Sequence, residues 1–386
     1  MNLLIVPSWY PSRGAPLNGI FFREQAIALS KGGHNVTLID VSFHGRHDLF
    51  NSKNFHMSYQ NDEGVHVYAF KIPSFYLLSR ISFLAFFIFK TLLFFVYIKI
   101  INKGSNFDVI HAHSFFPAGY CVCYLSKKYC IPFVVTEHST GVLQKDLTNC
   151  QLNKLNYTIE NSCKFICVSD SLRKTVEELS HNRDKLIVIP NMFSSDFVYS
   201  KRNIQKENEF LFLTIGLLNE RKRHSFTIKC FEKAFKDKSN VKLRIAGSGV
   251  LYEMLHKQIQ ENDLSEKIQL LGHLNRKQIK NELNNCDAFI LASDYETFGI
   301  VYIEAMACGR PVIATRNGGA DDIINDTNGV LIEVDNEEQL VNAFKYMYQN
   351  ADKYDRKKIA VDCYAKYSEE AVVKQLSDIY KEIQNY

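Results

Sequence analysis

The chain has 386 residues, 46% of them hydrophobic and 23% charged, and a formal net charge of +4. That length allows two domains, each with a substantial core. The small excess of positive charge and its scatter, densest at ERKRH (Glu220 to His224), argue against a nucleic-acid partner.

Ten cysteines with no CxxC spacing, only Cys121 and Cys123 lying close together, provide neither a zinc ribbon nor a redox motif. Their apolar settings, as for Cys167 in FICVSD and Cys308 in AMACG, predict reduced thiols in a cytoplasmic protein. The start, MNLLIVPSWYP, lacks a basic region and breaks into Pro and Trp after a short apolar run. It reads as a first strand rather than a signal peptide.

From there strands and helices alternate: NLLIV, then IFFREQAIALSKGG closed by Gly32 and Gly33, then NVTLID. The long loop PSWYPSRGAPLNG ends at Asn18 and Gly19, just before the first helix. Residues Ile81 to Ile101 form an apolar segment long enough to span a bilayer. Lys90 at its centre would cost about 2.5 to 3.5 kcal/mol there, so a buried or interfacial amphipathic helix is expected. Peripheral membrane contact and packing on a partner chain both remain open.

The strands DVIHAH, FVVTEH, FICVSD and KLIVIP continue the βαβ rhythm of a parallel sheet. His111 and His113 stand on one strand face at i and i+2, but no third ligand of fitting spacing accompanies them, and no metal is expected. Glu137 and His138 end a strand, where His138 is either a structural histidine or a site residue. A polar stretch, Asn191 to Glu209, reads as a linker. The rhythm restarts with FLFLTIG, VKLRIAG, KIQLLG, AFILAS, PVIAT and GVLIEV, which predicts a second domain of the same α/β class. Ligands of such sheets bind beyond the carboxyl ends of the strands.

Three loops of the second half carry chemistry. After FLFLTIG come Gly216 and then Arg221 and Lys222, adjacent cations suited to phosphate or a solvated charge run. Gly247 in RIAGSGVL is a GxG turn, weak evidence alone. DYETFGIVYIEAMACG sets Glu296 in a loop and Glu304 inside a helix, in apolar surroundings where an unpaired carboxylate costs several kcal/mol. The helix start at Gly299 is an anion site in waiting.

With these residues on view, the chain resembles the retaining GT-B glycosyltransferases of glycosyltransferase family 4. The resemblance rests on Glu296-x7-Glu304 with Phe298 and Gly299 between, and on GRPVIATRNGGADDIINDTNGVLI after it; it covers most of the chain. It implies two Rossmann-like domains facing each other across a cleft: an acceptor domain over 1–190, a nucleotide-sugar domain over 205–363, and a C-terminal helix over 364–386 that crosses back to the first. It further implies Glu296 at the donor sugar, Glu304 at the ribose hydroxyls, and Phe298, Gly299 and Ile300 at the diphosphate.

Lys222 with Arg221 then forms the diphosphate clamp, Gly19, Gly216 and Gly247 border the donor, His273 and Leu274 flank the base, and His138 contacts the donor sugar. Two departures stand out: Leu217 replaces an Arg usual after the strand glycine, and Arg223 replaces the Gly usual after the Lys. The partner of the two glutamates is then expected to be the donor itself.

The implied activity is transfer of a sugar from a nucleoside-diphosphate-sugar to a saccharide or lipid-linked acceptor, in cell-surface polysaccharide assembly at the inner membrane face, with no metal or other cofactor. A GT-B epimerase or phosphorylase, or an inactive nucleotide-sugar-binding protein, are the alternatives.

Overall fold

Leu3 to Val6 are fully buried, as expected of a strand inside a parallel sheet covered on both faces. In the computed structural model, which describes residues 1–11, 18–44, 57–73, 82–102, 104–200 and 209–384, they lie in β1 (Asn2–Pro7). Parts of the loop after β1, of the expected linker (201–208) and Ile81 of the apolar segment fall outside the described residues.

The first sheet has eight strands: β1, β2 (Asn35–His44), β3 (Met57–Asp62), β4 (Val65–Pro73), β5 (Val109–His113), β6 (Phe133–Glu137), β7 (Lys164–Cys167) and β8 (Leu186–Val188), in the order β3-β4-β2-β1-β5-β6-β7-β8. All neighbours are parallel except β3 and β4. The antiparallel β3, MSYQND, is largely solvent-facing, in keeping with its place at the edge.

The second sheet is wholly parallel: β9 (Phe210–Ile215), β10 (Val241–Ala246), β11 (Ile268–Gly272), β12 (Ala288–Leu291), β13 (Val312–Thr315) and β14 (Gly329–Ile332), in the order β11-β10-β9-β12-β13-β14. Its core joins Phe212, Ile245 and Ile290 of the strands to Phe231 and Phe344 of helices His224–Phe235 and Glu337–Asn350.

The chain divides into two units, Met1–Pro190 with Val372–Tyr386, and Asn191–Ala371. The final helix, Glu369–Gln384, therefore starts in the second unit and ends in the first, where buried Tyr380 meets His111 Nδ1 at 2.6 Å and Ser377 meets His34 Nε2 at 2.8 Å.

The described part of the expected linker is not a free connector. Met192, Phe193 and Phe197 are buried, the Phe193 amide donates to the Tyr367 carbonyl at 3.1 Å, and the Tyr364 hydroxyl donates to the Phe197 carbonyl. Three large apolar side chains within six residues outweigh the polar composition around them.

Helix Ser82–Ile101 buries Phe89, Leu93, Val96, Tyr97 and Ile100. Among the described residues, no helix is long and apolar enough to cross a membrane.

Candidate active site

In the second sheet the strand order reverses between β9 and β12, so crossovers leave in opposite directions and open a crevice at the carboxyl ends of these two strands. The loop after β9 ends in a short turn, Glu220–Lys222, whose start is capped by the Asn219 side chain accepting from the Lys222 amide at 3.2 Å. The loop after β12 is tied to it: the Asp294 amide donates to the Arg221 carbonyl at 2.9 Å.

These ties place Lys222 Nζ 2.5 Å from Glu296 Oε1. Both residues are buried, at 8% and 6% exposure. A buried charge of either sign is tolerable only with its counter-charge in place. The expectation that Glu296 waits for a ligand is thus corrected: its partner is Lys222. Arg221 takes another direction, its guanidinium lying over the Tyr295 ring at 5.5 Å. The backbone of Glu296 is pinned as well, its amide donating to the Asn317 carbonyl at 2.8 Å.

Arg223, where the resembled family carries glycine, adopts a left-handed conformation with φ of 52°. Such a conformation is unfavourable for a residue with a Cβ, and here the side chain is held by ion pairs. It donates to Asp294 Oδ1 at 2.7 Å and pairs with Asp335. Arg223 so clasps the Lys222 turn to the loop that carries Glu296.

Gly216, Gly247 and His273 come together in a row across the ends of β9, β10 and β11. The Gly216 amide donates to the Ala246 carbonyl at 3.0 Å and the Gly247 amide to the Gly272 carbonyl at 2.8 Å. A Cβ on Gly247 would lie 1.8 Å from the Gly216 carbonyl oxygen, so this approach requires glycine. His273 and Leu274 follow directly, His273 exposed and Leu274 partly so.

Phe298 is buried, Gly299 precedes helix Ile300–Ala307, and no side chain caps that helix. Gly299 has φ of 89°, and a Cβ there would meet the Tyr302 ring at 2.4 Å. Tyr302 is fully buried, accepting from Asn317 Nδ2 at 2.9 Å and donating to the Leu291 carbonyl at 3.3 Å. Burial pushes its phenol pKa up, so it stays a neutral spacer beneath the helix start. The amides of Gly299 and Ile300 belong to the positive end of the helix dipole. Glu304 sits half-buried one turn further on.

The first sheet reverses between β1 and β5. Gly19 begins helix Ile20–Lys31, packed against Trp9. His138, just after β6, packs beside Phe21 (tilted) and Phe22 (edge-on), with ring centroids 5.0 Å away in each case, and shares a hydrogen bond of 3.3 Å with His113. His111 is engaged at both nitrogens, by Tyr380 and by Thr136 at 2.7 Å. Burial depresses these imidazoles, His111 and His138 to about 3, so all are neutral hydrogen-bonding groups.

Glu137 is fully buried yet satisfied. Its carboxylate accepts from the amides of Phe115 at 2.7 Å, His138 at 2.9 Å and Ser139 at 2.7 Å. Burial raises its pKa, and the three amides oppose that rise. Among the described residues no group of three or more His, Cys, Asp or Glu is placed to hold a metal, and the ten cysteines form no disulfide.

Residues 197–360 match the glycosyl transferases group 1 model and residues 19–197 match glycosyltransferase family 4. An uncharacterized glycosyltransferase of Methanocaldococcus jannaschii is 31% identical over 258 residues, which are 66% of this chain and 69% of that one. The chain belongs to the group 1 glycosyltransferases.

Its two α/β units have the GT-B fold. Sucrose-phosphate synthase from Thermosynechococcus elongatus shares it with a TM-score of 0.77 over 99% of both chains at 18% identity. Anabaena HepE, solved in complex with UDP and glucose, does so at 0.74 over 99% of this chain and 100% of that one, at 17% identity.

Sequence reasoning about this glycosyltransferase missed four residues. Arg223 was visible as the departure from glycine after the lysine. Asn317 lies inside the stretch that carries the resemblance, but its duty to Tyr302 and Glu296 has no local mark. Glu137 was seen only as a neighbour of His138, and Asp335 had no signal at all.

Proposed function

We propose that this glycosyltransferase moves a sugar, with retention of anomeric configuration, from a nucleoside-diphosphate-sugar to a saccharide or lipid-linked saccharide in cell-surface polysaccharide assembly. The observation that carries the reading is the buried Lys222–Glu296 pair beside the uncapped helix start at Gly299 and Ile300. A fixed ammonium and aligned amides favour a diphosphate, and more so as it departs with negative charge. HepE, of the same fold, is complexed with UDP and glucose, which favours a uridine donor as the first to try.

In this reading the sugar–phosphate bond breaks with its electron pair going to the diphosphate. Lys222 and the helix-start amides receive that charge, with Arg221, turned over Tyr295, adding positive charge from the rim rather than a contact, so the reaction draws on no metal or other cofactor. The acceptor oxygen bonds the anomeric carbon from the same face, and the leaving phosphate takes the acceptor proton. Glu296 orients the sugar and Lys222, Glu304 accepts from the ribose hydroxyls, Phe298, Gly216 and Gly247 line the donor, and His273 and Leu274 flank the base. Gly19 and His138 serve substrate binding in the first unit, to which we assign the acceptor. The neutral imidazole of His138 suits a sugar hydroxyl, to which it donates or accepts one hydrogen bond.

The test is a panel of nucleotide sugars offered with saccharide acceptors, following nucleoside diphosphate release and the anomeric configuration of the product by NMR. Acceptor-dependent release and a retained anomer are expected, unchanged by a chelator. An inverted product, or epimerised or phosphorolysed donor without transfer, overturns the proposal.

A further inference from the structure

Helix Ser82–Ile101 is apolar on its outer side as well as its inner one. Phe87, Phe95 and Ile98 are 58%, 44% and 38% exposed, with Thr91 among them. At about 100° per residue these four fall within an arc of roughly 80°. Lys90 lies about 60° to one side of the arc and Lys99 about 40° to the other. The helix contains no Asp or Glu.

Lysines of neighbouring helices extend this rim. Lys128 Nζ lies 5.6 Å from the Phe94 ring centroid, and Lys154 Nζ 5.6 Å from that of Phe86 and 4.2 Å from that of Phe116. Lys90 Nζ is 3.6 Å from the Tyr124 ring, and Lys99 Nζ 5.5 Å from the Phe95 ring.

We infer that this face docks on the surface of a bilayer containing anionic lipids. Long lysines bordering an aromatic and aliphatic stripe are the arrangement in which rings enter the headgroup boundary while ammoniums remain at the phosphates. A second copy of the chain is a poorer occupant, because a two-fold contact brings a surface against itself and would set these lysines near their own copies. The helix lies on the membrane and does not span it, since its inner row is already packed in the first unit.

Sedimentation of the full chain with phosphatidylcholine vesicles, with and without phosphatidylglycerol, decides the matter. The chain is expected to pellet with the phosphatidylglycerol vesicles and to be released by salt. Phe87→Ser/Phe95→Ser and Lys99→Glu/Lys128→Glu are each expected to weaken binding by about tenfold or more. All these positions are outside the candidate active site, so thermal stability and sugar transfer to a water-soluble acceptor should be unchanged in the variants. Wild-type protein left in the supernatant, or a phenylalanine variant that pellets equally, overturns the inference. So does a concentration-dependent dimer that the phenylalanine variant disperses, which would give the face to a second copy.

Discussion

The two sheets reverse strand order at comparable places, between β1 and β5 in one unit and between β9 and β12 in the other, yet they furnish those places with opposite chemistry. The second presents charge: Lys222 against Glu296, Arg223 against Asp294, and a helix start with no side-chain cap. The first presents neutral rings and a saturated carboxylate: His113 and His138 beside Phe22, with Glu137 closed off by three amides. Topology provides a switch point in both, and the loop residues decide its chemistry. Fixed charge favours a diphosphate and neutral rings favour hydroxyl groups, and the proposed transfer rests on that division.

Breaking the charged side should have the largest effect. Glu296→Gln is expected to lower kcat by about 100- to 1000-fold. Lys222→Ala alone strands a buried carboxylate and should also cost about 3–5 kcal/mol of stability. The double variant Lys222→Met/Glu296→Gln separates the two effects, keeping the fold by circular dichroism while losing transfer. Turnover near wild type in the double variant would remove the pair from the chemistry.

The neutral side should show itself in acid. His111 and His138 move from about 6.5 when unfolded to about 3 in the fold, and buried His224 of the second unit, lowered to about 4, adds to the same trend. The unfolded chain thus binds protons that the native one refuses, and stability falls as pH drops from about 6.5 toward 4. Each imidazole contributes at most about 1.4 kcal/mol per pH unit. His111→Gln should flatten the dependence of Tm on pH over that window, and an unaltered slope would count against a neutral buried His111.

A smaller loss is expected for Gly299→Ala, which sets a Cβ against Tyr302 at positive φ. It should cost about 1–3 kcal/mol in denaturant unfolding and weaken nucleotide binding by displacing the helix start. Smallest is Arg223→Gly, which relieves backbone strain but frees the Lys222 turn. The donor KM should rise about five- to tenfold with kcat little changed, as for loss of one or two half-exposed ion pairs. A fall in kcat without a change in KM would mean that Arg223 acts on the reaction itself.

Much of this molecule was legible in one dimension because its signals are local. Alternating apolar runs mark β9, β10 and β12 wherever they end up, and the helix start at Gly299 follows from a strand, a loop and a helical pattern in succession. What could not be read is pairing at a distance. Arg221 and Lys222 are equivalent neighbours in the sequence, but only Lys222 reaches Glu296, 74 residues on, because the turn after β9 and the reversal at β12 aim one side chain inward and the other over Tyr295. Met192, Phe193 and Phe197 appeared as incidental apolar residues of a linker, but they are buried in the fold, Phe193 and Phe197 tied to the helix that carries Tyr364 and Tyr367. The sequence by itself determined the class of the elements, the glycine turns and the inventory of charges. The tertiary structure alone decided which charges meet, since strand order and crossover direction set distances that no local spacing encodes.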